Sequence, residues 1–138
     1  MQFGTKQLDI MRVLWRLGRA SAKTITDELN HGNADVAHST VQTQLRLLLK
    51  KHAVDFEKQD RTFVYFTLVE ENDVAQDAAG DLLDRVFGGS ATAMVSHLIG
   101  RSDVDAAELA EIRRLLDEHE KSRIAQQPKP KPRRKKPR

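Results

Sequence analysis

The sequence predicts a mainly α-helical chain with one small β-hairpin. Three observations predict it. Apolar residues recur at helical spacing through residues 5–51, the period switches to two across residues 54–68, and helical spacing returns from residue 71 onward.

Thr5 can N-cap a first helix whose apolar positions Leu8, Met11, Val13, Leu14 and Leu17 fall near helical spacing, and Gly18 supplies a stop. Ser21 can cap a short second helix that turns Ile25 and Leu29 inward and ends at Asn30, His31 and Gly32. After a loop at Gly32 to Asp35, a third helix runs from about Ala37 to Lys51. Val54 and Phe56 then alternate with polar neighbours, Gln59-Asp60-Arg61 is turn-like, and Thr62 to Leu68 is rich in aromatic and β-branched residues, which together read as a hairpin. Three helices followed by a hairpin is the element order of a winged helix-turn-helix, the hairpin being the wing.

From Glu71, the residues Val74, Ala78, Leu82 and Val86 form one stripe that Gly88-Gly89 interrupts. Ser90 to Ile99 carries Met94, Val95, Leu98 and Ile99. Asp105 to Glu120 aligns Leu109, Ile112, Leu115 and Leu116 behind an acidic opening suited to a helix N-terminus. Three short amphipathic helices within about 50 residues do not readily close a core alone. A second copy is expected to complete it, giving a homodimer with Leu82, Val86, Met94, Leu98, Leu109, Ile112 and Leu116 as dimerisation residues. The fold class is thus mainly α with a small β-hairpin: a winged helix-turn-helix over residues 1–69, a three-helix dimerisation region over 70–124, and a tail over 125–138. From Pro128 the tail reads PKPKPRRKKPR, has no apolar residue and cannot repay ordering entropy, so it is expected to be disordered.

Charge separates along the chain. Residues 1–69 hold 10 basic and 7 acidic side chains, residues 70–127 hold 6 and 13, and residues 128–138 hold 7 and none. Basic ends around an acidic middle suggest that the ends meet a polyanion and the middle meets a protein. The chain has no Cys, which excludes a disulfide framework, a thiolate metal site and a cysteine nucleophile. Its five His, at 31, 38, 52, 97 and 119, contain no pair at i, i+3 or i, i+4, so no metal or other cofactor is expected, and His97 and His119 read as helix-surface or interface positions. No Ser, His and Asp spacing supports catalysis, and Gly88-Gly89 is too short for a phosphate loop. At 138 residues a large catalytic cleft is not expected, so the chain reads as a non-enzyme. Met1 to Gly4 has no basic stretch followed by an apolar run, and no segment reaches the roughly 18 apolar residues of a membrane span, so a cytoplasmic location without membrane contact is expected. Trp15, Phe63, Tyr65 and Phe66 could form a stacking platform for single strands, but core packing is the simpler reading.

The third helix carries the functional signal. On a wheel of about 100° per residue, Val41, Leu45 and Leu48 cluster on one side, while Ser39, Thr43, Arg46 and Lys50 fall opposite, flanked by Thr40 and Gln42. Residues 38–52 contain no acid, whereas a face serving only solvation would often carry Glu and Lys pairs. Short hydroxyl and amide groups let a helix approach base edges, where Gln pairs with adenine, Arg with guanine, and a Thr methyl meets the thymine methyl. Ser39, Thr40, Gln42, Thr43 and Arg46 are therefore expected toward bases of double-stranded DNA, with Lys50, Lys51 and the wing-tip Arg61 toward phosphates.

The sequence resembles the BlaI/MecI penicillinase-repressor family over about residues 5–120. The residues that carry the likeness are Met11-Arg12-Val13-Leu14-Trp15, Thr40-Val41-Gln42-Thr43-Gln44-Leu45, Phe63-Val64-Tyr65-Phe66-Thr67-Leu68-Val69-Glu70-Glu71, and Gly88-Gly89 before Met94-Val95. The resemblance implies a transcriptional repressor, a homodimer held by interlocked C-terminal helices, that binds dyad operators with TACA and TGTA half-sites. Three features depart from the pattern. The Cys-x-Cys motifs of related copper-responsive repressors are absent; the positions aligned with the Asn-Phe bond cleaved in staphylococcal members during induction are His97-Leu98, leaving any inducing protease unknown; and the basic Pro-rich tail is an addition. Two other readings stay open: a winged-helix protein-interaction module, and an architectural protein that binds DNA nonspecifically.

Overall fold

The structure is a computed structural model that describes residues 1–32, 34–101 and 103–126. The expectation of a disordered tail from Pro128 lies outside the described residues. The chain divides into two compact units, the first ending at Gly88 and the second beginning at Gly89.

In the first unit, helix α1 spans Thr5–Leu17, strand β1 Ala20–Ser21, helix α2 Ala22–Leu29, helix α3 His38–Lys50, strand β2 Val54–Gln59, strand β3 Thr62–Thr67 and helix α4 Glu71–Phe87. Thr5 is the first helical residue of α1 rather than its cap. Gly4 takes the cap position, its N–H satisfied by the Gln7 carboxamide reaching back over 3.2 Å. The buried stripe of α1 is Gln7, Ile10, Met11, Val13 and Leu14; Leu8 is half-buried, and Leu17, at the end, is exposed. Gly18 stops the helix at φ 85°, donating its N–H to the Leu14 carbonyl at 2.7 Å. The Ser21 hydroxyl caps α2 by accepting from the Thr24 N–H at 3.2 Å.

The three strands form an antiparallel sheet in the order β1-β3-β2, with Ala20 opposite Tyr65 and Phe56 opposite the same Tyr65 from the other side. The hairpin was foreseen; β1 was not, because two residues carry no readable period. Ala53 and Val54 join Ile10, Met11, Val13, Leu14, Ala20, Ile25, Val41, Leu45 and Leu48 in one buried core, and half-buried Trp15 and Tyr65 pack against it. Phe63 does not follow them. It is 48% exposed, because the hairpin is six residues long on each side and its distal half extends past the helices that cover its base. The Trp15 indole N–H donates to the Val69 carbonyl at 3.0 Å, tying the exit of the wing to α1.

The reversal between α3 and the wing is a Schellman turn. Ala53 N–H bonds the Leu48 carbonyl at 3.0 Å and His52 N–H the Leu49 carbonyl at 3.1 Å, which leaves His52 in the left-handed region at φ 61°. Arg16 braces α1 to α2 through Glu28 at 2.6 Å, and that hydrogen bond holds the Glu28 carboxyl below its ordinary range.

The second unit holds α5, Ala91–Ile99, and α6, Ala106–Gln126. Ser90 caps α5 by accepting from Ala93 N–H at 3.1 Å, and the Asp105 carboxylate accepts from Glu108 N–H at 2.9 Å at the start of α6. The last helix outruns its expected end at Glu120 and takes in Ala125 and Gln126, since no Gly or Pro interrupts residues 121–126. Arg114 links one turn to the next through Glu111 and Glu118.

Two substitutions separate the energetic roles. Leu45, 1% exposed, should cost about 2 to 5 kcal/mol as Leu45→Ala in chemical denaturation. His52→Gly should instead stabilise by about 1 kcal/mol, since glycine enters the left-handed region without the Cβ clash. An unchanged or lowered denaturation midpoint for His52→Gly would contradict the strain assigned to that turn.

Candidate nucleic-acid interface

Burial of Val41, Leu45 and Leu48 fixes how α3 is rotated, and therefore which side chains it presents outward. Ser39, Gln42, Thr43, Arg46 and Lys50 are exposed, and Thr40 is half-buried at the edge of that face. The Thr43 hydroxyl donates back to the Ser39 carbonyl at 3.0 Å. Its hydrogen is thus spent on the helix, and what Thr43 offers outward is its methyl and the oxygen lone pairs.

The ion pairs sort the cations. Within the first unit Arg12 pairs with Asp9, Arg16 with Glu28, Arg19 with Glu57 and Arg85 with Asp81. Among the described residues no carboxylate pairs with the remaining arginines of that unit, Arg46 on α3 and Arg61 at the hairpin turn, nor with Lys50. Asp60 takes the left-handed conformation at φ 57° that the two-residue turn requires, with Arg61 exposed beside it.

Lys51 stands apart from the others. Its ammonium group donates to the Gln2 carbonyl at 2.6 Å and the Gln7 carboxamide at 2.7 Å, and lies 5.5 Å from the centre of the Phe3 ring. It fastens the start of the chain to the end of α3. Its partners lie 49 and 44 residues away, so no local signal distinguishes it from Lys50.

A second brace was also illegible. Thr26 donates its hydroxyl hydrogen to the Ala22 carbonyl at 2.8 Å, so at 3.0 Å from His38 Nδ1 it can only accept. His38 therefore carries a proton on Nδ1 and locks the first turn of α3 to α2. Asn30 completes the α2–α3 connection by bonding both the N–H and the carbonyl of Val36, at 2.6 and 2.9 Å.

Of the residues expected at subunit contacts, Leu82, Val86, Leu98 and Leu116 are exposed, while Met94, Leu109 and Ile112 are half-buried. No side chain of α4, α5 or α6 is buried. Within the first unit a cleft of about 520 Å³ opens between Met1, Phe3 and Leu8 on one wall and Val74, Ala78, Leu82 and Val86 on the other. Among the described residues no helix is long and apolar enough to cross a membrane, and no group of three or more His, Asp or Glu is placed to hold a metal ion.

Lys51→Ala should lower stability by about 1 to 3 kcal/mol through loss of two hydrogen bonds from a half-buried ammonium. The salt dependence of any DNA binding should stay as it was; a shallower slope for Lys51→Ala would return this residue to the phosphate-contacting set.

A family model described as "Penicillinase repressor" matches residues 3–118. The methicillin resistance regulatory protein MecI of Staphylococcus aureus (strain N315) is 26% identical over 116 residues, 84% of this chain and 94% of MecI. The penicillinase repressor of Bacillus licheniformis is 27% identical over 118 residues, 86% of this chain and 91% of that protein. The solution structure of the DNA-binding domain of the repressor BlaI aligns with a TM-score of 0.47 and 30% identity, over 52% of this chain and 87% of that domain. The family match spans the winged helix-turn-helix and most of the helices after it, and on that ground this chain belongs to the penicillinase repressor family.

Proposed function

We propose that this chain is a DNA-binding transcriptional repressor that acts as a homodimer on a dyad operator, with α3 in the major groove. The observation that carries the reading is the outward face of α3, free of acids and bearing Arg46 and Lys50 without carboxylate partners among the described residues, when Arg12, Arg16, Arg19 and Arg85 of the same unit are paired. In water an unpaired cation costs little, and against phosphate it releases counterions. Ser39, Thr40, Gln42, Thr43 and Arg46 face the bases; Lys50 and Arg61 face the phosphates. The half-sites are of the TACA and TGTA type that the family resemblance implies. No step of this action requires a cofactor or an active site.

Dimerisation supplies what one half-site lacks. No side chain of helices α4, α5 and α6 is fully buried, and Val86, 66% exposed, sits at the end of an apolar stripe that also lines the cleft of the first unit. A second copy covers these surfaces and holds two reading helices at one spacing, so each half binds at the effective concentration set by the other. The −7 balance of residues 70–127 keeps this region off the DNA.

The test is a titration of a genomic fragment from upstream of the chain's own gene against a random duplex. The fragment should bind preferentially. Gln42→Ala or Thr43→Ala should cost about 1 to 3 kcal/mol on it and leave random DNA nearly untouched, whereas Lys50→Ala should weaken both alike and reduce the salt slope by about one. Equal losses on both duplexes for the Gln42 and Thr43 variants would remove α3 as the reader. Converting Leu109 and Leu116 together to Asp should give monomers with weakened operator binding; light scattering that finds the dimer intact would remove these residues from the interface.

A further inference from the structure

The cleft of the first unit has two apolar walls, and both are held in place from outside it. Met1, Phe3 and Leu8 form one wall; Val74, Ala78 and Leu82 form the other, with Val86 at its outer end. Lys51 fastens the first wall to the end of α3 through the Gln2 carbonyl at 2.6 Å and the Phe3 ring at 5.5 Å. The Trp15 bond to Val69 anchors the segment that leads into α4 and so into the second wall. At about 520 Å³ the cleft falls within the roughly 300 to 1,000 Å³ of small-molecule sites, which are likewise mostly apolar and largely pre-formed.

The charge left over in this space has one sign. Asp77, Asp81 and Arg85 are the charged side chains that line the cleft, and Arg85 is spent on Asp81 at 3.1 Å. Asp77 has no ion pair among the described residues, and the Met1 amino group pairs with no carboxylate there. A second recess adjoins the cleft and shares Met1, Val74 and Asp77 with it; its other charged side chains are Glu70 and Asp73. Asp77 therefore stands where the two spaces meet, with apolar walls on one side of it and further acids on the other.

We propose that this cleft binds a small lipophilic ammonium compound, its apolar body between Phe3 and Leu8 on one side and Val74, Ala78 and Leu82 on the other, and its cation on the Asp77 carboxylate. Burial of the body supplies affinity, and the carboxylate selects the charge, since an anion of the same shape would be repelled by Asp77. The second copy proposed above covers the outer end at Val86 and closes the cleft over the ligand. No residue of the outward face of α3 takes part, so the site stands whether or not that face reads bases.

The experiment uses the full chain and two fluorescent probes of one body: dansylcadaverine, which ends in an ammonium group, and dansyl-aminocaproic acid, which ends in a carboxylate. The ammonium probe should brighten as its rings leave water and saturate at one site per chain, with the carboxylate probe at least about tenfold weaker. Asp77→Asn should weaken the ammonium probe by about tenfold and bring the two probes level. Asp84→Asn, which removes an acid of the same helix outside the cleft, should change nothing, and Ala78→Trp, which fills the space, should weaken both probes. Thermal unfolding and light scattering on the same samples exclude loss of fold or a change of assembly as the cause. Should Ala78→Trp fail to fold, the comparison of Asp77→Asn with Asp84→Asn decides. Equal binding of the two probes by the parent would overturn the assigned charge, and with it the proposal. Equal losses for Asp77→Asn and Asp84→Asn would reduce the attraction to the overall charge of α4 and overturn the site. No binding of either probe by the full chain would mean that a second copy fills the cleft, which also overturns the proposal.

Discussion

Three buried side chains, Val41, Leu45 and Leu48, set the rotation of α3 about its own axis, and the interface depends on that rotation. Turning the helix by one residue would move its outward set by about 100° and bring Leu45 or Leu47 where Arg46 now stands. The core fixes the angle because the stripe is met from two directions. Ile10, Met11 and Leu14 of α1 lie against it together with Ile25 of α2, and Ala53 and Val54 close it from the sheet. Around this packing, polar braces set position along the axis. His38 on Thr26 holds the first turn, and the paired bonds of Asn30 to Val36 hold the loop that leads into it.

The two compact units differ in how they use apolar residues. The first buries eleven apolar residues in a closed core and satisfies the buried polar atoms; among the described residues no buried side-chain nitrogen or oxygen lacks a partner. The second leaves Val95, Leu98, Ile99, Leu115, Leu116 and Ile124 exposed, with stability drawn from caps and from i, i+3 and i, i+4 ion pairs. Exposed ion pairs contribute little individually. Helices of this kind persist when something covers their apolar stripes.

Most of the architecture was legible from the sequence because each element announces itself through period and punctuation. Gly18, Ser21 and Ser90 mark their helix ends as read, and the hairpin turn falls at Asp60-Arg61. What stayed hidden shares one cause, that its partners are far away in the chain. Strand β1 exists because Ala20 and Ser21 find β3 more than forty residues on, and the role of Lys51 is set by Gln2 and Gln7. At the candidate interface the pattern of α3 identified the outward residues, since amphipathicity depends on local spacing. It gave no means of separating Lys50 from Lys51, or of knowing that Phe63 runs past the core while Tyr65 stays on it. Those distinctions depend on where neighbouring elements end.

The hairpin extends outward from a reversal that is fixed at one end and open at the other. The Schellman turn at Leu48 to Ala53 and the Trp15 bond to Val69 hold both of its roots, while its tip at Asp60 and Arg61 is exposed. Because strand faces repeat every two residues, lengthening each arm by two at the tip would preserve every existing face, and lengthening by one would exchange them beyond the insertion. The hairpin is thus a part whose reach can change by even steps without disturbing the packing of α3, so that the length of one and the outward face of the other are separable traits.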